Sequence, residues 1–280
     1  MNDLLQIIIV LYKSSLDESL TYQSFIKNIA KCSIGYELII YNNSPGNDIK
    51  TDNSYIIFNS NANDMLAGAY NYALQRAIDT NKKWILLLDQ DTILTSEYFI
   101  ELDKFLNSNN PDEYAAAVPI LCKANLQLSP VSYSPRIGPY FMFKSIESIN
   151  PKTKKCIVAF NSAALLNVSF MKSIGGFSSD YPLDMLDHWY FYQMYKAQKS
   201  IFILRSRLQQ NLSTLDMETS MSIERYKKYL YSLKLFAREL KFPVIVFFRL
   251  RLLNFSLSQL IRSKKRKFLQ STLKALFDFR

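Results

Sequence analysis

The sequence predicts an α/β fold: a mostly parallel sheet flanked by helices on both faces, followed by a basic helical segment at the C-terminus. Three observations carry that reading. Short apolar runs alternate with helical patterns over residues 1–90, the pattern of strands joined by crossover helices. One of those runs, Trp84-Ile85-Leu86-Leu87-Leu88, passes directly into Asp89-Gln90-Asp91-Thr92. An unbroken apolar run of this length reads as a strand buried on both faces. Unpaired carboxylates are too costly to continue inside such a sheet, so they mark the point where the strand leaves it. Finally, the charge is uneven. Residues 224–280 carry 15 Lys/Arg against 3 Asp/Glu, and the other 223 residues carry 19 against 21.

The elements follow in order. Gln6–Tyr12 is the first buried strand, and Leu16–Cys32 has helical spacing with Leu20, Phe25, Ile26 and Ile29 as its apolar face. Glu37–Tyr41 is a second strand, ending in the turn signal Asn42-Asn43-Ser44-Pro45-Gly46. Tyr55–Phe58 is a third. Met65–Thr80, rich in Ala and Leu, is a helix with Asn63 or Asp64 as its N-cap, and Trp84–Leu88 is the fourth strand. Beyond it come a helix over Ser96–Leu106 and a strand over Ala115–Ile120. Residues 123–155, rich in Pro, Ser, Asn and Lys, read as loops with short hairpin-like strands. Val158–Ala164 leads through Asn167-Val168-Ser169 into a short helix that ends at Gly175-Gly176. Leu186–Ala197 is helical, Ser200–Leu204 is a last strand, and from Ile223 the pattern is helical and basic, broken at Pro243.

Composition narrows the class. With 280 residues, 49% of them hydrophobic and 14% aromatic, the chain has ample core for one large domain plus an appendage, and it is not disordered. Cys32, Cys122 and Cys156 are far apart and odd in number, so no disulfide framework or zinc pattern is expected and a reducing cytoplasm is. Met1-Asn2-Asp3 lacks the basic start of a signal peptide. No run of uncharged apolar residues is long enough to span a bilayer; Phe242–Ile261 comes nearest and contains Arg249 and Arg251. The net charge of +10 resides in the tail, and the body shows no RRM, KH or zinc-finger pattern. The expected partner of residues 223–280 is therefore an anionic membrane surface and not nucleic acid.

Residues i and i+2 of an extended segment point the same way, so Asp89 and Asp91 can converge on one divalent cation or its ligand. Open α/β sheets bind ligands beyond the carboxyl ends of their strands. The competing reading is a solvated polar turn with Asp91 capping the next helix. Two further features join the pair. The run Asn63-Asp64-Met65-Leu66-Ala67-Gly68-Ala69-Tyr70-Asn71 opens a helix with small residues that let a ligand or backbone approach; plain helix-on-sheet packing explains it equally. Gly175-Gly176-Phe177 reverses the chain ahead of Asp184-Met185-Leu186-Asp187-His188-Trp189, which places two carboxylates beside the single histidine. There too an Asp could merely cap the helix that follows.

Taken in order, IIIVLY, IIYNNS, the spaced Asn63, Ala67, Ala69 and Asn71, LLLDQDT, and GGF followed by LDMLDHW resemble the family 2 glycosyltransferases of the GT-A (Rossmann-like) fold, especially bacterial rhamnosyltransferase-like members. The resemblance covers roughly residues 5–210. It implies a catalytic domain over 1–215, with a nucleotide-sugar half at about 1–95 and an acceptor half at about 96–215, and a helical basic extension over 216–280. It implies an Mn²⁺ or Mg²⁺ cofactor held by Asp91, with Asp89 sharing the metal or facing the ribose. It implies donor contacts from Tyr12, Asn42, Asn43 and Asn63, and from Ala67, Asn71, Asp89 and Gln90. Asp187 would be the catalytic base, with Asp184 as the alternative and His188 orienting the base or touching a phosphate. The implied reaction is inverting transfer of a sugar from dTDP-rhamnose or a UDP-sugar to a lipid-linked or polysaccharide acceptor. The implied setting is O-antigen or capsule synthesis, on the cytoplasmic face of the cell membrane.

The chain departs from the family pattern at three points. Asn42-Asn43 stands where an Asp usually contacts the base, Met65 where Gly is favoured, and Trp189 where relatives often carry an acidic residue. Two other classes remain open. A nucleotidyltransferase would need a Gly- and Arg/Lys-rich loop after the first strand, and Lys13-Ser14-Ser15 has no glycine. A non-catalytic binding module would have no need to retain Asp89, Asp91 and Asp187.

Overall fold

The computed structural model describes residues 5–50, 55–108, 110–141, 143–146, 156–210, 221–262 and 266–278. Its elements are β1 (Leu5–Leu11), α1 (Leu20–Asn28), β2 (Tyr36–Asn42), β3 (Ile56–Asn59), α2 (Met65–Asp79), β4 (Trp84–Asp89), β5 (Thr92–Ile93), α3 (Ser96–Leu106), β6 (Tyr114–Lys123) and β7 (Leu126–Ser129). After these come β8 (Val131–Tyr133), β9 (Lys144–Ser145), β10 (Cys156–Val158), β11 (Ala164–Asn167), α4 (Val168–Ser173), α5 (Leu186–Lys196), β12 (Ser200–Gln210), α6 (Ile223–Leu240), α7 (Val244–Arg262) and α8 (Arg266–Phe277). The chain divides into two compact units, one of Met1–Pro130, Ser145–Thr153 and Val158–Asn211, the other of Val131–Lys144, Lys154–Ile157 and Leu212–Arg280.

The first unit is built on a nine-stranded sheet in the order β3-β2-β1-β4-β11-β6-β12-β5, with β7 paired to β6. The strands β3, β2, β1 and β4 are mutually parallel. Their register aligns the carboxyl ends: Val10 lies opposite Asp89, Leu11 opposite Asn42, and Asn42 opposite Asn59. Strand order reverses about β1, which makes this edge a topological switch point. The other half is mixed. β11 is antiparallel to both β4 and β6, and β5 is antiparallel to β12, while β12 runs parallel to β6, so the expected parallel pairing is unbroken in the first half and shares the second with antiparallel pairs.

Continuous apolar strands explain the core. Every residue of β1 is buried, as are Trp84 to Leu88 of β4. α2 covers β1 and β4 through Ala67, Ala69, Tyr70, Ala73 and Ala77, small residues that let the helix lie close to the sheet. One sequence expectation fails here. Leu20 and Ile26, assigned to the buried face of the first helix, are 43% and 53% exposed. The helix begins only at Leu20, capped by Ser19, and turns Thr21, Ser24 and Phe25 inward. The hydroxyls replace leucine there because they hold the loop after β4. Of the two expected caps, Asn63 or Asp64, it is Asp64 that occupies the N-cap position of α2, without a side-chain capping bond. Of residues 123–155, read from sequence as loops with short hairpin-like strands, 147–155 lie outside the described residues, and β10 begins directly after them at Cys156.

The second unit contains a three-stranded sheet, β10-β8-β9, and the three C-terminal helices. α6, α7 and α8 pack on one another. A buried polar cluster ties them: the Tyr226 hydroxyl meets Thr272 Oγ1 at 2.8 Å, Gln259 Nε2 donates to Tyr226 at 3.0 Å, and Thr272 Oγ1 donates to Gln259 Oε1 at 2.8 Å. All three cysteines of the chain are buried thiols.

Candidate active site

The loop leaving β4 is held from beneath by α1. Thr21 Oγ1 is hydrogen-bonded to the carbonyl of Asp89, reaches the carbonyl of Thr92 at 2.8 Å, and accepts from the Thr92 amide at 2.8 Å. Ser19 Oγ donates to the Gln90 carbonyl at 3.0 Å, and Ser24 Oγ accepts from the Leu94 amide at 3.0 Å. A buried contact joins the Thr92 and Ser162 hydroxyls. These bonds fix the backbone of the Asp89-Gln90-Asp91 turn, and Asp91 does not cap the next helix; Thr95 does.

Asp89 ends β4 in a recess that leaves part of it open to solvent while protein encloses most of its volume. The buried Tyr70 hydroxyl donates to Asp89 Oδ1 at 2.8 Å. Enclosure, then the neighbouring Asp91 charge, pushes the Asp89 carboxyl up to about 7; the Tyr70 hydrogen bond opposes this, and the Asp187 charge adds to it. Asp91 lies further out at the exposed rim, and it too is raised by partial enclosure. Burial raises the Tyr70 hydroxyl well above its ordinary value, with Asp89, Asp187 and Asp91 adding to the shift. The three carboxylates therefore share one electrostatic environment, although Asp187 stands almost a hundred residues from the other two in sequence.

Asp187 reaches this environment because of a sharp local turn. Met185 is left-handed at φ 63° and starts α5, which puts Asp187 in the first turn and leaves Asp184 in the loop before it. Asp187 Oδ1 accepts from the His188 amide at 2.8 Å and lies 3.0 Å from His188 Nδ1. The segment ahead of it is clasped to α2. Asn71 Nδ2 donates to the Phe177 carbonyl at 2.9 Å, and Asn71 Oδ1 accepts from the Phe177 amide at 2.8 Å. Gly176 makes that clasp possible: at φ +81° a Cβ would stand 2.5 Å from Asn71 Oδ1. Phe177 then stacks between Tyr70 and Tyr190, with ring centroids 5.3 and 5.0 Å away. The backbone of Ala67 adds a bond to the carbonyl of Pro182 at 3.0 Å.

The other sequence candidates divide into those that face the site and those that hold it. Tyr12 follows β1, 42% exposed; its amide donates to Gln90 Oε1 at 2.7 Å, and Lys13 Nζ stands over its ring at 5.2 Å. Asn42 and Asn43, expected to meet a base, are 1% and 3% exposed and brace the loop instead. Asn42 Nδ2 donates to the Asn47 carbonyl at 2.7 Å and to Asn59 Oδ1 at 2.8 Å, which uses both its hydrogens. Asn43 bonds the start of α2 twice, through the Asp64 amide at 2.8 Å and the Met65 carbonyl at 3.1 Å. Asn63 Oδ1 accepts from the Met65 amide at 3.1 Å. Asn71 and Ala67 are likewise fastenings. The residues missed in the sequence are Thr21, Ser24, Tyr70 and Ser162; a hydroxyl on the inner face of an apolar helix is the signal that marks the first two.

Among the described residues no three His, Cys, Asp or Glu side chains gather closely enough to hold a metal by themselves. The pair Asp89 and Asp91 nonetheless suits a hard divalent cation. Mg²⁺-type ions are commonly held by one or two carboxylates together with substrate phosphates, and two neighbouring carboxylates with raised pKa values gain from a neutralising charge.

No protein-family model matches the sequence, and no curated protein matches it. In three dimensions the chain is similar to residues 1–349 of S. aureus TarS, with a TM-score of 0.57 at 13% identity, covering 98% of this chain and 81% of that one. The same fragment in complex with UDP-GlcNAc gives 0.54 at 13% identity, covering 97% and 81%. A mannosyltransferase, PcManGT from Pyrobaculum calidifontis in complex with GDP-Man and Mn²⁺, gives 0.53 at 12% identity, covering 99% and 88%. At such identities the likeness speaks for the fold: this chain is a mixed α/β protein of the GT-A-like kind.

Proposed function

We propose that the protein is an inverting, divalent-metal-dependent glycosyltransferase. It moves a sugar from a nucleotide-sugar, dTDP-rhamnose or a UDP-sugar, to a lipid-linked or polysaccharide acceptor of a bacterial surface glycan such as O-antigen or capsule. The observation that carries this reading is the convergence of Asp89, Asp91 and Asp187 beyond the carboxyl end of β4. The solved complexes of similar fold, with UDP-GlcNAc in one and GDP-Man and Mn²⁺ in the other, support it.

The chemistry follows from the placement. The donor diphosphate lies at the strand ends, beside Tyr12, Lys13 and Gln90. Asp91 and Asp89 would hold Mn²⁺ or Mg²⁺, which when bound would supply Lewis-acid neutralisation of the leaving diphosphate. Asp187 takes the proton from the acceptor hydroxyl, whose oxygen bonds to the anomeric carbon as the bond from that carbon to the phosphate oxygen breaks. His188 fixes Asp187 Oδ1, so Oδ2 receives the proton. One displacement without a carboxylate nucleophile inverts the anomeric centre. Lipid-linked acceptors place the enzyme at the cytoplasmic face of the membrane.

The test is incubation with a panel of nucleotide-sugars, following release of nucleoside diphosphate with and without EDTA. Metal-dependent release from one sugar donor supports the reading. Release of pyrophosphate from a nucleoside triphosphate would assign a nucleotidyltransferase, and tight binding without turnover a binding module.

A further inference from the structure

Helix α7 has two apolar faces, and the fold covers one of them. Val244, Phe248 and Leu252 are fully buried and Ser256 nearly so, one helical turn apart, on the side that packs against α6 and α8. On the opposite side Val246, Leu250, Leu253, Leu257, Leu260 and Ile261 stand 44% to 83% exposed. At 3.6 residues per turn these six fall within an arc of about 100°. Scattered exposed leucines need no explanation, but a continuous outward stripe along one helix does.

By length and composition Val244–Ile261 could cross a membrane, with 18 residues of mean hydropathy 1.5, although 22% of it is buried. Two observations argue for lying along a membrane instead. The inner side is bound into a bundle through Gln259, Tyr226 and Thr272, so the helix is not a free rod. Arg249 and Arg251 also stand near its middle, Arg251 over the Phe255 ring at 4.4 Å. Guanidinium groups at a bilayer centre are costly, whereas the headgroup layer accommodates them. Charge selects the occupant. Residues 224–280 carry 15 Lys/Arg against 3 Asp/Glu, and the sequence directly after Ile261 reads Arg-Ser-Lys-Lys-Arg-Lys. A second copy would bring like charges together; an anionic leaflet attracts them.

We infer that α7 is an in-plane membrane anchor. Its outward stripe sits at the acyl boundary of an anionic bilayer, with Arg and Lys among the headgroups. The inference rests on the reading that the acceptor is lipid-linked, and it assigns the element that reaches the lipid.

The test floats the full chain with phosphatidylcholine vesicles, with and without phosphatidylglycerol, at low and high salt. The wild type floats with the anionic vesicles only and is released by salt. A Leu253→Ser/Leu257→Ser variant, with its helical circular dichroism unchanged, partitions about tenfold less or lower. A Leu257→Trp reporter is quenched by bromine near the headgroup end of the acyl chains more than by bromine at the bilayer centre. Undiminished flotation of the double variant, or strongest quenching at the bilayer centre, overturns the inference. So does a wild-type dimer that the double variant dissociates while still floating, which would assign the stripe to a second copy. Donor turnover is followed in parallel, and the double variant keeps the wild-type rate because neither leucine belongs to the active site. Flotation without turnover of any nucleotide-sugar retains the anchor and sinks the enzyme reading; turnover without flotation does the reverse.

Discussion

The parallel half of the sheet and the C-terminal helices treat apolar surface in opposite ways. Along β1 and β4 every apolar side chain is enclosed, and the polar residues at the end of β4 are fixed by hydrogen bonds from Ser19, Thr21 and Tyr70. Along α7 one side is enclosed and the other, equally apolar, faces outward. Enclosure gives precision, since a carboxylate needs a rigid surround to hold its geometry and its charge state. Exposure gives availability, since a greasy stripe meets whatever lies outside. The first region is built to position groups and the second to present them.

The strongest test of positioning is Asp91→Ala. Nucleoside diphosphate release should fall by about 10²–10³-fold or more, with Asp89→Ala similarly impaired. Undiminished release by Asp91→Ala in saturating EDTA would remove the metal role from this loop. Asp187→Asn should lower kcat by about 10²–10⁴-fold while the donor dissociation constant stays within about twofold, as expected of a group that acts on the acceptor. Single-turnover kinetics with donor titration checks this, and a dead Asp184→Asn beside an active Asp187→Asn would reassign the base.

Stability measurements sharpen the contrast further. Phe248→Ala, on the enclosed side of α7, should lower the denaturant-unfolding free energy of the helical unit by about 3–5 kcal/mol. Gly176→Ala and Gly175→Ala share backbone strain of about 1–2 kcal/mol, both having positive φ. Only the former also meets Asn71 Oδ1, for about 1–3 kcal/mol more. Equal melting shifts for the two would show that the Asn71 clasp yields easily. The smallest effect belongs to Leu253→Ala, within about 0.5 kcal/mol. A loss there rivalling that of Phe248→Ala would mean the outward stripe is packed after all.

Sequence patterns revealed β1, β2 and β4 well, because full burial on both faces leaves an unbroken apolar run. Asp89 and Asp91 were legible for the same reason: a carboxylate at the end of such a run has only the strand end to occupy. The inner face of α1 was not legible, since Thr21 and Ser24 are buried for hydrogen bonds and periodicity counts only apolar residues. The hydrogen bonds made by the amides of Asn42 and Asn43 were not legible either. Their composition fits a ligand site, yet their bonds go to Asn47, Asn59 and the start of α2. The mixed half of the sheet depends on which strands pair, and pairing across long sequence separations leaves no local trace.

The Asn71–Phe177 clasp joins residues 106 positions apart, and this orders events in time. A ribosome adding about 5–20 residues per second delivers Phe177 roughly 5–20 s after Asn71. During that interval the strands β1 to β4 can pair and gather the loops at their carboxyl ends, while the carboxylate proposed to activate the acceptor does not yet exist. The nascent chain can thus complete the proposed donor side before the proposed base is made. Chemistry is the last thing this arrangement acquires.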